Sequence, residues 1–141
     1  MKFLSRIFKK KTELVLNDSV FGDIKFNNGT WCHIPESLDG EYMISIDASE
    51  SGPDNLQKSY FQKIVKNLPY YEKKAKDYIQ EMEIEVEELD VKFLSTYSIE
   101  IGNIIEIQQE IFNLELTDSD AHKIHRVTFQ GKEILEYGCE D

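Results

Sequence analysis

The chain has 141 residues and a net charge of −11 at neutral pH, with 40% apolar and 30% charged residues. This length suits one domain whose core needs neither a metal nor a disulfide, and the apolar content excludes a disordered chain. The negative charge disfavours a nucleic-acid partner, because phosphate binding needs a basic surface.

Charge divides the chain into two segments. Residues 1–12 contain five basic side chains and no acidic one, so the negative charge belongs to the remainder. We therefore expect a basic N-terminal segment, 1–12, followed by a single domain, 13–141. Apolar residues at positions 3, 4, 7 and 8 share one helical face. Packing on the domain explains this face better than weak peripheral membrane contact through residues 1–11, because one short anchor binds lipid only marginally.

The first part of the chain has the two-residue alternation of β-strands. Strands are predicted at 14–16, 20–26, 30–34 and 42–46. Asn28 and Gly29 follow the second of these strands, and an Asn-Gly pair tolerates the positive φ angles of a tight turn. A β-hairpin is therefore expected around them.

A helical region follows over residues 54–82, where apolar side chains recur every three or four positions. Asp54 is placed to cap its first turn. Pro69 lacks a backbone donor, so it either kinks one long helix or begins a second, and Asn67 favours the break. Residues 82–86 alternate like a strand but are rich in glutamate, which is a good helix former. The sequence therefore does not decide at which residue the helix ends.

The β pattern returns after the helices. Strands are predicted at 91–94, 97–101, 104–111, 112–116, 123–129 and 134–137, with a hairpin loop at 130–132. The order of strands, helices and strands differs from the regular alternation of parallel α/β folds. The sequence therefore predicts an α+β domain, with a mostly antiparallel sheet and the two central helices packed across one of its faces.

One cluster has the chemistry of a metal site. Two carboxylates and two imidazoles lie close together in sequence, at Asp118, Asp120, His122 and His125, and such groups bind divalent ions. Their spacing is weak support, because His122 and His125 would face opposite sides of a strand. The other interpretation is a turn in which the Asp side chains bind local backbone donors, with His125 a structural group on an apolar face.

Cysteine chemistry is not expected to be functional. Cys32 and Cys139 are interpreted as ordinary thiols rather than a disulfide, with Cys139 exposed near the C-terminus. Cys32 and His33 do not form a nucleophile–base pair, because neighbours on a strand face away from each other. No phosphate-binding loop or nucleophile motif occurs, so no cofactor is predicted.

The densest acidic stretch lies beyond the helices, at Glu81, Glu83, Glu85, Glu87, Glu88 and Asp90. Such a run is ordinarily a solvated face. The functional interpretation is a docking surface for a basic protein, where complementary charge raises the association rate.

Several segments resemble a family of bacterial proteins catalogued as domain of unknown function 2262. The resemblance extends over residues 14–138 and rests on residues 20–26, 112–116 and 129–131, together with Asp118, Asp120 and His125. It implies a cytoplasmic bacterial α+β domain with no established activity. Some acidic domains of this general kind are immunity proteins encoded beside toxins, an analogy only.

Two functions are therefore expected from the sequence. The first, which favours a protein that is not an enzyme, is an acidic protein-binding domain, such as an immunity protein that neutralises a basic toxin. The alternative is a metal-assisted hydrolase built on the Asp118, Asp120, His122 and His125 cluster. The oligomeric state is left open.

Overall fold

The computed structural model describes residues 14–36, 41–82, 91–118 and 123–140. Within these ranges the strands form one eight-stranded sheet, in which spatial order follows chain order. The strands are β1 (Leu14–Asp18), β2 (Gly22–Asn27), β3 (Thr30–His33), β4 (Met43–Asp47), β5 (Ser95–Ile101), β6 (Ile111–Thr117), β7 (Ile124–Gln130) and β8 (Glu133–Glu140). The helices are α1 (Asn55–Lys66), α2 (Leu68–Met82) and α3 (Ile104–Gln108). The predicted N-terminal basic segment lies outside the described residues.

Every neighbouring pair of strands is antiparallel except β4 and β5, which are parallel. Parallel neighbours cannot be joined by a tight turn and need a long crossover. The connection from β4 to β5 contains α1 and α2, so two antiparallel four-stranded units are joined through the helices. This confirms the predicted mostly antiparallel sheet and the order of strands, helices and strands.

Both predicted hairpin turns are present. Asn28 and Gly29 connect the paired residues Asn27 and Thr30, with φ angles of 51° and 84°. Positive φ at both central positions matches the right-handed twist of the flanking strands. The second hairpin joins β7 to β8 through Gly131, whose φ is 61°.

Helix α1 begins with the predicted cap. The Asp54 side chain accepts a hydrogen bond from the Gln57 backbone N–H at 2.8 Å, and the Gln57 side chain accepts one from the Asp54 N–H at 3.0 Å. This reciprocal pair is a capping box. Gln57 also donates to the carbonyls of Asp47 and Gly102, at 2.8 and 3.0 Å, and so ties α1 to the ends of β4 and β5.

The helical region divides at Asn67, as predicted. Helix α1 ends at Lys66, Asn67 is its C-cap, and α2 begins at Leu68 with Pro69 in its first turn. A proline is tolerated there, because the first turn has no intrahelical acceptor for its N–H. No helix in the described ranges is long and apolar enough to cross a membrane.

The core lies on one face of the sheet and is rich in aromatic rings. Tyr71 of α2 contacts Phe112 and Phe129, with ring centroids 4.9 and 5.0 Å apart, and Phe61 of α1 contacts Phe21 at 4.9 Å. Edge-to-face rings at such distances stabilise a core beyond simple burial. The largest fully buried side chains are Trp31, Phe112, Phe129, Ile24, Ile46, Ile64, Ile79, Ile99, Leu114, Leu116 and Val127.

Two predicted strands are wrong. Residues 91–92 are helical, and the Leu94 N–H donates to the Val91 carbonyl at 3.2 Å, which makes a turn that buries both side chains. Residues 104–108 form helix α3 rather than a strand, because the Asn103 side chain caps it by accepting from Ile105 N–H at 3.0 Å. A local cap here overrides the strand preference of isoleucine.

Candidate functional site

The predicted acidic docking stretch is only partly described. Glu81 is exposed in the last turn of α2. The other members, Glu83, Glu85, Glu87, Glu88 and Asp90, lie outside the described residues.

The predicted metal cluster is divided in the same way. Asp118 is half-buried immediately after β6, His125 is 3% exposed in β7, and Asp120 and His122 lie outside the described residues. Within the described ranges, no group of three His, Cys, Asp or Glu side chains is placed to hold a metal ion.

His125 faces the apolar core, as one interpretation of the sequence predicted. Its Nδ1 lies 2.8 Å from the Tyr137 hydroxyl, and the two rings stack with an interplanar angle of 12°. A buried histidine bound in this way stabilises the contact between β7 and β8.

Neither Cys32 nor Cys139 forms a disulfide. Cys32 pairs with Ser45 and His33 with Ile44, so the two neighbouring side chains face opposite sides of the sheet, as predicted. Cys139 is half-buried rather than exposed, with its Sγ 3.6 Å from Nδ1 of His125. The expectation of an exposed Cys139 is wrong because β8 extends to Glu140 and places the thiol beside β7.

The opposite face of the sheet is polar. The pairing register aligns side chains from five adjacent strands, β3 to β7, on this side. We call it the polar face; its polar members are Thr30, Cys32, Ser45, Asp47, Ser98, Glu100, Asn113, Glu115, Arg126 and Thr128, and Met43, the partner of Ser98, lies on the same side.

An ion-pair network fixes the centre of the polar face. The Arg126 guanidinium donates to both carboxylate oxygens of Glu100, at 2.9 and 2.7 Å, and lies 3.8 Å from Glu115. Thr128 donates to the Asn113 side-chain oxygen at 2.6 Å. A bidentate arginine pair has a defined geometry, so these side chains present a fixed arrangement of charge.

The carboxylates of this network repel one another. Burial raises the pKa of Glu115, the negative charge of Glu100 raises it further, and the nearby Arg126 only partly opposes the rise. One guanidinium therefore does not neutralise the two carboxylates beside it.

A shallow depression of about 290 Å³ opens on the polar face, where β4 and β5 end beside α3. Three carboxylates line it, those of Asp47, Glu100 and Glu106, together with Arg126. Glu106 belongs to α3, and its carboxylate lies against Gly102, where a larger residue would displace it. The depression is therefore a concave surface of predominantly negative charge.

Lysine side chains are concentrated elsewhere, on the two long helices. Their lysines are Lys58, Lys63, Lys66, Lys73, Lys74 and Lys76. Helix α1 contains no acidic residue, whereas the three lysines of α2 are matched by Glu72, Asp77 and Glu81. An excess of positive charge therefore lies on α1 only, away from the acidic polar face.

The polar face was missed by the sequence analysis. Its signal was present, because Glu100, Glu115 and Arg126 alternate with core residues along their strands. The strand order that brings these three side chains together is not visible in any one segment.

Comparisons with known proteins identify no relative of the chain. No protein-family model matches the chain, and no curated protein or solved structure shows significant similarity to it. The resemblance to domain of unknown function 2262 stays a prediction.

Proposed function

We propose that this chain is a non-enzymatic binding domain for a basic protein, and that the polar face is its docking surface. The observation behind the proposal is the depression lined by the three carboxylates of Asp47, Glu100 and Glu106 and by one guanidinium, that of Arg126. A lysine or arginine side chain of a partner would enter this depression and bind the carboxylates that Arg126 leaves uncompensated.

The position of the helices supports this choice of face. Ring contacts from Tyr60 of α1 and Tyr71 of α2 reach core-facing residues of the sheet, and Phe61 of α1 contacts Phe21 in the turn between β1 and β2. We infer that the two helices form a layer across that face, so that the other side of an antiparallel sheet faces solvent or a partner.

Charge segregation supports a particular orientation of the partner. A basic protein is repelled by the three lysines of α1 and attracted by the acidic polar face, which favours encounters with the correct side. We propose that the acidic stretch also attracts the basic partner; it consists of Glu81, Glu83, Glu85, Glu87, Glu88 and Asp90. An immunity protein that neutralises a basic toxin in the cytoplasm is the function that fits these features best.

The contacts of His125 favour a binding domain over the hydrolase alternative. Its imidazole faces the core and is hydrogen-bonded to Tyr137, whereas a hydrolytic metal needs ligands that open towards a substrate.

The proposal is tested with two variants of equal net charge. Asp47→Asn/Glu106→Gln removes two charges from the depression, and Asp77→Asn/Glu133→Gln removes two that pair with helix lysines. Binding of a labelled lysine- and arginine-rich peptide is measured by fluorescence anisotropy at several salt concentrations. We expect the depression variant to bind about tenfold more weakly, which corresponds to about 1.4 kcal/mol, and the control to bind like the unaltered chain.

Equal weakening in both variants would mean that only net charge attracts the peptide, and the polar face would be rejected as the docking surface.

The acidic stretch is tested separately, by reversing Glu83, Glu85 and Glu87 to lysine. A slower association that becomes less sensitive to salt is expected. Unchanged association kinetics would remove the stretch from the proposed surface.

A further inference from the structure

A second cavity, of about 130 Å³, lies near the break between α1 and α2 and beside the turn from β7 to β8. Its walls include Tyr60, Tyr71, Lys63, Glu110 and Lys132. A water molecule occupies about 30 Å³ in the liquid, so the space is larger than a single water requires.

Two phenol groups of this cavity lack a hydrogen-bond partner among the described residues. The Tyr71 side chain is 5% exposed, and its ring is held edge-to-face against Phe112 and Phe129. Within the described ranges, every fully enclosed polar side-chain atom has a partner. The hydroxyls of Tyr60 and Tyr71 therefore meet accessible space, and the cavity that both residues line is that space.

Because both hydroxyls meet this space, each is placed to donate a hydrogen bond to whatever occupies the cavity, a ligand or water. Both phenols are protonated donors at neutral pH. Burial raises the pKa of Tyr60, with further increases from Tyr71 and Glu110. Burial also raises the pKa of Tyr71, although the Lys63 ammonium opposes the rise.

Charged groups lie beside these donors. Lys63 Nζ is 3.3 Å from the Glu110 carboxylate, in a pair whose side chains are 60% and 55% exposed. Glu110 has a φ of 57°, an unusual value for a residue other than glycine, and its carbonyl accepts from the Gly131 N–H at 2.9 Å. Lys132 also lines the cavity, with its Nζ 5.6 Å from the centroid of the Tyr70 ring.

We propose that this cavity binds a small oxyanion of the size of phosphate, which accepts hydrogen bonds from Tyr60 and Tyr71 and pairs with Lys63. Two hydroxyl donors and the Lys63 ammonium stand beside one carboxylate, so donors outnumber acceptor groups, which suits an acceptor-rich anion. When the anion binds, the Lys63 ammonium would leave the exposed Glu110 carboxylate and pair with the anion. The inference does not rest on the proposed docking function, since none of these residues belongs to the polar face.

The test is a titration of the full chain with inorganic phosphate at constant ionic strength, followed by NMR at the amides of Asn67 and Gly131. We expect saturable shifts. Tyr71→Phe and Lys63→Gln should each weaken binding about tenfold, because each removes a hydrogen bond to a charged ligand. Tyr78→Phe is the matched control, since Tyr78 contacts the ring of Tyr137 and does not line the cavity.

A parallel titration with methyl phosphate identifies the source of the anion. Equal binding of the ester supports a phosphorylated molecule as the ligand, and preference for inorganic phosphate supports the free ion. Shifts that grow linearly, or that are equally strong in Tyr71→Phe and Lys63→Gln, would mean an adventitious ion and overturn the proposal. Lys63 is largely exposed, so its variant keeps the test decisive even if Tyr71→Phe does not fold.

Discussion

The Asp18 carboxylate is held by three contacts. Its Oδ2 accepts from the backbone N–H groups of Val20 and Phe21, at 2.8 and 3.0 Å, and its Oδ1 lies 3.0 Å from Lys58 Nζ. Burial by itself raises the pKa of Asp18, but these hydrogen bonds and the ion pair outweigh it and lower the pKa below its usual value. The resulting stability is present above the unfolded-state pKa and is lost as pH falls through the folded-state pKa.

Asp18→Asn should therefore reduce the free energy of unfolding at neutral pH by about 1–2 kcal/mol, because a charged acceptor becomes a neutral one. The loss of stability between neutral pH and about pH 3 should also become smaller. Urea unfolding at several pH values measures both effects, with the exposed Asp23→Asn as control. An unchanged acid dependence in Asp18→Asn would contradict the prediction.

Glu115 gives the opposite pH dependence, because its pKa is raised by burial and by Glu100. Ionisation then disfavours the folded state, so the associated stability is present below the unfolded-state pKa and is lost as pH rises through the folded-state pKa. Glu115→Gln should increase the free energy of unfolding at neutral pH by up to about 0.5 kcal/mol and leave it unchanged in acid. A destabilised variant at neutral pH would show that the contact with Arg126 dominates instead.

At the level of elements, prediction succeeded where local chemistry decides the structure. The Asn28–Gly29 turn, the Asp54 cap and the break at Asn67 each depend on a few neighbouring residues, and each is present. The strand predicted at 104–111 is wrong because that prediction depended only on the strand propensity of isoleucine. Asn103 starts a helix there, and Ile104 and Ile105 remain exposed instead of entering the sheet.

The Asn28–Gly29 turn offers a matched test of backbone conformation. A Cβ at either Gly29 or Gly138 would meet no atom within 4 Å, but only Gly29 has a positive φ, of 84°. Gly29→Ala should cost about 1–2 kcal/mol, because an L-residue is disfavoured in that region. Gly138→Ala should be neutral or stabilise by about 0.5 kcal/mol, since alanine restricts the unfolded chain. Thermal unfolding measures the difference, and equal effects would reject conformational strain as its cause.

At the level of the whole molecule, the sequence predicted the class of the fold but not its candidate sites. The parallel pairing of β4 with β5 brings Ser45 beside Glu100, although the two residues are far apart in sequence. The pairing of β5 with β6 then places Asn113 beside Glu100, and the pairing of β6 with β7 places Thr128 beside Asn113. Periodicity identifies which face each residue occupies, but only the strand order shows which residues meet.

The net charge of −11 leads to a prediction about the stability of the molecule as a whole. Mutual repulsion among like charges destabilises a compact state, and salt screens it. Raising sodium chloride from about 10 to about 150 mM should therefore increase the free energy of unfolding at neutral pH, by an amount on the order of 1 kcal/mol.

The same titration near the isoelectric pH of about 4.7 is the internal control. Net repulsion is absent there, so salt screens only attractive pairs, and its effect on the free energy of unfolding should vanish or change sign. A decrease of stability with salt at neutral pH would mean that pairs such as Arg126 with Glu100 outweigh the repulsion. The acidic polar face would then be compensated within the molecule itself, and its proposed attraction for a basic partner would lose its electrostatic basis.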